Sequence, residues 1–95
     1  MKKTFLLTQA IIQIKTDTEA KNFLRDLLTP AEITEFETRF EIATLLWTTK
    51  DSYAKIAAKL KTSTTTVTRV ARFLYSEPYQ GYAAVLKKLY GNSIR

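Results

Sequence analysis

The sequence predicts an all-α fold of about six helices, and three observations carry that prediction. Apolar residues recur every three or four positions along nearly the whole chain, the period of one helix face. No stretch alternates apolar and polar residues as a half-buried strand would. Thr29-Pro30-Ala31-Glu32 has the chemistry of a helix start, with an N-cap threonine, a proline in the first position and a glutamate in the third.

Taken in order, Leu7, Ala10, Ile11 and Ile14 mark a first helix, and Ala20, Phe23, Leu24, Leu27 and Leu28 a second, which Thr16 or Asp17 caps. The Thr29 start opens a long third helix over about 30–48, with Ile33, Phe36, Phe40, Ala43 and Trp47 on one stripe. Ile42, Leu45 and Leu46 widen that stripe beyond a monomer's core-facing third, which predicts a second partner surface. A break at Thr48-Thr49-Lys50-Asp51 precedes a short helix over about 52–60, a turn at Lys61-Thr62-Ser63, and a further helix over about 64–75. Pro78 ends that element or starts the next, and the last helix is expected over about 78–90, with Tyr82, Val85, Leu86, Leu89 and Tyr90 forming its apolar face.

Composition narrows the chemistry. The chain has 95 residues, 45% hydrophobic and 25% charged, which is one soluble domain's worth. It has no Cys and no His, which removes disulfides, zinc fingers, thiolate nucleophiles and imidazole bases. Its two glycines, Gly81 and Gly91, form no phosphate-binding loop. The carboxylates of the third helix lie on solvated turns without such partners, so no catalytic residue, metal site or cofactor is expected. Met1-Lys2-Lys3 and the short apolar run after it are too brief for a signal peptide. A cytoplasmic chain without a membrane anchor is expected.

The net charge is +6, and its distribution carries more information than its size. Residues 52–95 hold eight Lys/Arg against the single acid Glu77, whereas residues 1–51 are nearly balanced. A polyanionic partner is therefore expected on the C-terminal half.

The segment 52–75 meets the packing demands of a helix-turn-helix. Ile56 and the small Ala57 sit where two helices cross, Leu60 closes the first, and Val67, Val70 and either Phe73 or Leu74 face back from the second. Ser63 or Thr62 is placed to cap the second helix. The turn position that favours Gly is Lys61, which accepts a left-handed backbone and adds a charge where phosphates would lie. Thr64, Thr65, Thr68, Arg69 and Arg72 then form the exposed face. Arg can pair bidentately with guanine, and Thr can offer a hydroxyl or a methyl to base edges. Ser63, Lys55, Lys59 and Lys61 would contact phosphate, and Thr62 is expected beside them among the DNA-binding residues.

Together, Leu27-Leu28-Thr29-Pro30-Ala31-Glu32, Thr38-Arg39-Phe40 and Thr66-Val67-Thr68-Arg69 resemble the Trp repressor superfamily in order and spacing, over about residues 20–90. With Ile11-Ile12-Gln13-Ile14-Lys15-Thr16 and Val67-Thr68-Arg69-Val70-Ala71-Arg72 included, the sequence is most similar to the Trp-repressor-like YerC/YecD branch. The resemblance implies an intertwined homodimer, with residues 1–50 as dimerisation helices, 51–75 as the helix-turn-helix and 76–95 completing the shared core. It also implies a transcriptional repressor on a palindromic operator in double-stranded DNA. Thr29, Arg39 and Arg69 match the residues that flank tryptophan in the Trp repressor. The glycine and serine that make room for that ligand are replaced here by Val70 and Phe73, bulk that argues against tryptophan and leaves another small corepressor open.

Weighed on their own residues, the remaining candidates are structural. Trp47 and the phenylalanines read as core, Arg39 as a partner for nearby glutamates, and Tyr75, Tyr79, Tyr82 and Tyr90 as interface rings. The alternative function is a basic helical module that binds RNA or a protein through the same helix-turn-helix.

Overall fold

The computed structural model describes residues 6–95, so the reading of Met1–Phe5 lies outside the described residues. Six helices are described, in the order α1 (Leu6–Ile12), α2 (Asp17–Leu27), α3 (Pro30–Thr48), α4 (Tyr53–Leu60), α5 (Thr64–Tyr75) and α6 (Gly81–Tyr90). No strand occurs among the described residues. The chain divides into two compact units at Thr34/Glu35, within α3.

In the first unit, α1 ends at Ile12, two residues short of the expected Ile14. The N–H groups of Gln13 and Ile14 bond three residues back, to Ala10 and Ile11, tightening the last turn so that it cannot propagate. Thr16 is the cap of α2: its Oγ1 accepts from the Glu19 N–H at 3.1 Å, and the Glu19 carboxylate accepts from the Lys15 N–H at 3.3 Å. The capping box of α3 forms as expected. Thr29 Oγ1 accepts from the Glu32 N–H at 3.2 Å and Glu32 Oε1 accepts from the Thr29 N–H at 2.9 Å, so two of the free donors at the helix start are satisfied. Neither α1 nor α2 buries a side chain.

The second unit holds the core. Ile42, Ala43, Leu46 and Trp47 of α3 pack with Ile56 and Ala57 of α4, Val67, Val70, Ala71 and Leu74 of α5, and Leu86 of α6. Only the last turns of the wide α3 stripe are buried; Phe36 is 43% exposed. Leu74 rather than Phe73 completes the crossing, being 1% exposed against 47%. Ala57, small at the crossing, is buried as the sequence requires.

Two backbone features shape the turns. Lys61 adopts the left-handed conformation (φ 55°, ψ 45°), and the N–H groups of Lys61 and Thr62 return to the carbonyls of Ala58 and Ala57. This is the hydrogen-bond pattern that ends a helix on a left-handed residue, built here without Gly. Gln80 is also left-handed (φ 54°), and it moves the start of the last helix to Gly81. The expected start at Pro78 is therefore corrected: Ser76–Gln80 form a turn, closed by the Ser76 and Glu77 N–H groups on Arg72 O and by Gln80 Nε2 on Glu77 O. On α6, Leu86 is fully buried, while Val85, Leu89 and Tyr90 of the expected apolar face stay exposed. No described helix is long and apolar enough to cross a membrane.

Candidate nucleic-acid interface

The helix-turn-helix presents its candidate residues on the outer side of α5. Ser63 is the cap: its Oγ accepts from the Thr66 N–H at 3.1 Å and shares a 3.0 Å hydrogen bond with Thr66 Oγ1. The positive end of the helix dipole lies at this start. Thr64, Thr65, Thr68, Arg69 and Arg72 are exposed and, with Phe73, line a shallow depression along the helix. Thr68 donates its hydroxyl to Thr64 O at 2.8 Å, which leaves its methyl and an oxygen lone pair outward. Thr62, half-buried in the turn, is less available than its neighbours.

The cations differ in how free they are. Arg69 and Lys61 have no acid partner among the described residues, whereas Arg72 has a loose contact with Glu77 at 3.6 Å. Lys55 and Lys59, expected to reach phosphate, are both engaged by Asp51, at 3.4 and 2.9 Å. The hydrogen bond from Lys59, with that from Lys55 and the charges of both, holds the Asp51 carboxyl below the usual carboxylate range against a smaller opposing effect of burial. Lys55 could have been paired from sequence, since Asp51 lies four residues before it, just ahead of the helix start. Lys59, eight residues on, could not.

The three residues matched to a ligand site are placed as follows. Arg39 and Arg69 line one groove of about 1000 Å³ within the second unit, together with Lys61, Val70, Phe73 and Tyr82. Thr29 lies in the first unit, its hydroxyl engaged in the capping box. Arg39 already holds an acid: its Nη2 is 2.6 Å from Glu35 Oε1 and its guanidinium lies 5.4 Å from the Phe36 ring centre. Val70 is 3% exposed and belongs to both the core and the groove, while Phe73 stands at the groove wall with half its surface open. Both side chains expected to add bulk at a ligand's place therefore line the groove.

A set of contacts that the sequence does not signal lies at the other end of the head. Trp47 Nε1–H donates to Gly91 O at 2.7 Å, the Ile94 N–H to Trp47 O at 2.9 Å and Arg95 Nε–H to Leu46 O at 2.7 Å. Tyr75, expected as an interface ring, is hydrogen-bonded through its hydroxyl to Leu46 O at 3.2 Å and to Ser93 Oγ at 3.3 Å.

Comparison with known proteins gives one consistent result. The family model described as Trp repressor protein matches residues 2–90. Among solved structures, a TrpR-like protein from Eubacterium eligens superposes with a TM-score of 0.75 at 38% identity, covering 87% of this chain and 84% of that one. A Trp-repressor-like protein from Staphylococcus aureus superposes with a TM-score of 0.80 at 28% identity, covering 92% of this chain and 85% of that one. No curated protein matches. With its six helices, its helix-turn-helix and a family match over nearly its whole length, this chain belongs to the Trp repressor family.

Proposed function

We propose that the protein is a sequence-specific regulator of transcription, a repressor that acts in the cytoplasm as a homodimer on a palindromic operator and is not switched by tryptophan. Membership of a family of DNA-binding regulators supports the coarse reading. The observation that carries the finer one is the outer face of α5. It combines three exposed threonines, Arg69 and the capped helix start beside Lys61, both cations without an acid partner among the described residues, all within twelve residues. Such a face offers base-reading groups flanked by phosphate contacts.

Independence from tryptophan rests on two side chains. Val70, a branched side chain 3% exposed, lines the groove, and Arg39 already pairs with Glu35. A ligand carboxylate would have to displace that acid. A corepressor can shift the head only by its differential affinity for the two poses.

The experiment is selection of bound duplexes from a random pool, followed by affinity measurements across salt. Log affinity should fall by about 0.9 per phosphate neutralised for each unit of log salt. Thr65→Ala and Arg69→Ala should change preference at particular bases, and Arg72→Ala should weaken all duplexes alike. Equal affinity for single-stranded RNA, or no effect of the three substitutions, would overturn the reading. Adding tryptophan should leave affinity unchanged; a tightening of about tenfold, near 1.4 kcal/mol of coupling, would show that it is a corepressor.

A further inference from the structure

α3 ends without the usual means of satisfying its last carbonyls. It has no basic residue in its last turn, and no glycine follows it. A helix end leaves up to four carbonyls without intrahelical partners and carries a partial negative charge. Here Leu45 O is served locally, by the N–H and hydroxyl of Thr49. The next two are served from the far end of the chain: Leu46 O accepts from Arg95 Nε–H at 2.7 Å, and Trp47 O accepts from the Ile94 N–H at 2.9 Å. The guanidinium of Arg95 thus supplies the cation that α3 lacks.

The same guanidinium does a second thing. Its other edge, through Nη2, donates to the carbonyl of Asp51, the residue before the Ser52 cap of α4. One planar side chain therefore spans the linker from the end of α3 to the start of the helix-turn-helix. Tyr75, the last residue of α5, reaches the same Leu46 carbonyl and Ser93 of the tail. Trp47 pins the beginning of the tail by donating to Gly91 O. The end of α3, the start of α4 and the end of α5 meet on five residues of tail.

We propose that Gly91–Arg95 form a brace that sets the angle at which the helix-turn-helix leaves α3, with Arg95 as its positioning residue. This rests on the reading of the protein as a dimer that binds duplex DNA, because head angle then fixes the separation of the two recognition helices. A dimer reads half-sites about one helical turn apart, and an error in either head is an error in that spacing. Arg95 contributes through its fork: two donors in one rigid plane hold two carbonyls at a fixed separation, which a lysine ammonium on a flexible stem does not. Arg95 itself is exposed and contributes nothing to the core. Its replacement should loosen the pose without unfolding the head.

The test compares the full chain with Arg95→Gln and Arg95→Lys. Both should retain the helical content of the wild type, and amide exchange at Ile94 should speed up in each. On a duplex selected by the wild-type protein, both variants should lose about tenfold in affinity. On the same duplex with one base pair inserted between the half-sites, affinity should stay within about twofold of wild type. Three results would overturn the proposal: equal losses on both duplexes with a shallower salt dependence, which would make Arg95 a phosphate contact; wild-type behaviour of the lysine variant, which would make bare charge sufficient; or unchanged amide exchange. Should the wild-type protein bind no duplex, the functional reading fails, and amide exchange still decides whether the brace exists.

Discussion

Lys61 joins a conformational cost to an exposed charge. Its left-handed backbone costs a non-glycine residue roughly 1–2 kcal/mol, and the turn of a helix-turn-helix would be relieved by Gly. Lys61→Gly is therefore expected to raise stability by about 0.5–1 kcal/mol, after allowing for the entropy glycine loses on folding. It should simultaneously weaken duplex binding and reduce the salt slope by about 0.9 per head if Lys61 meets phosphate. Parallel denaturant melts and salt titrations decide it, and a stabilised variant with unchanged binding would remove Lys61 from the interface. Asp51 acts in the opposite sense. Its carboxyl occupies Lys55 and Lys59, so Asp51→Asn should free both cations, tighten binding and steepen its salt dependence. Because pairing lowers its folded-state pKa below 3.8, its contribution to stability is present above that value and is lost as pH falls through the folded-state value. The stability gap between wild type and Asp51→Asn should accordingly be seen at neutral pH and close in acid, which denaturant melts across that range would show. A gap that persists at the acid end would mean the carboxylate is not what stabilises.

At the scale of elements, how far the sequence could be read depended on whether the deciding contacts were local. The caps Thr16, Thr29 and Ser63 were legible because an N-cap and its donor lie three residues apart. The crossing of α4 and α5 was legible down to Ile56, Ala57, Val67 and Val70. Phe73 and Leu74 could not be separated, since neighbouring residues differ by only one helical step and both lie near the inward stripe. Pro78 reads as the end of one helix or the start of the next, and Gln80 turns left-handed two residues later, which no propensity announces. The tail contacts join residues 44 and 49 apart, beyond any sequence periodicity, and Lys59 meets Asp51 across eight residues. For the candidate site, residue types on α5 were readable, while the engagement of Arg39 and Lys55 was not foreseen for the second of these. The caps also differ in what they hold: Ser63 starts the helix that carries the candidate base-reading face, and Thr29 starts a helix anchored by its buried last turns. Ser63→Ala should cost about 1 kcal/mol and lower the melting temperature by roughly 4–8 °C. It should also reduce duplex affinity, whereas Thr29→Ala should lower stability alone. Thermal melts paired with binding assays on both variants check this, and equal binding defects would deny Ser63 any role at the interface.

For the whole molecule the deciding quantity is the apolar surface that stays exposed among the described residues. α1 has seven residues and α2 eleven, shorter than the roughly 12–15 that an isolated helix needs to be even marginal in water. Neither buries a side chain, and Leu6, Leu7, Ile11, Ile12, Leu24 and Leu27 are all exposed. Phe36 on α3 and Val85 and Leu89 on α6 add to this surface. Helices this short persist only when tertiary packing supports them, and in the proposed homodimer a second copy would supply a surface of matching character by two-fold symmetry. Folding and association should then be one equilibrium. The unfolding midpoint is expected to rise with protein concentration, by about 1.4 kcal/mol of dimer stability for each tenfold increase. Leu24→Asp or Phe36→Asp should abolish the folded state of the N-terminal helices rather than release a soluble monomer, because each places a charge on the surface that the partner would cover. Sedimentation combined with circular dichroism gives the answer. A chain that sediments as a monomer at micromolar concentration with α1 and α2 fully helical, and melts at a temperature independent of concentration, would show that these apolar faces need no partner.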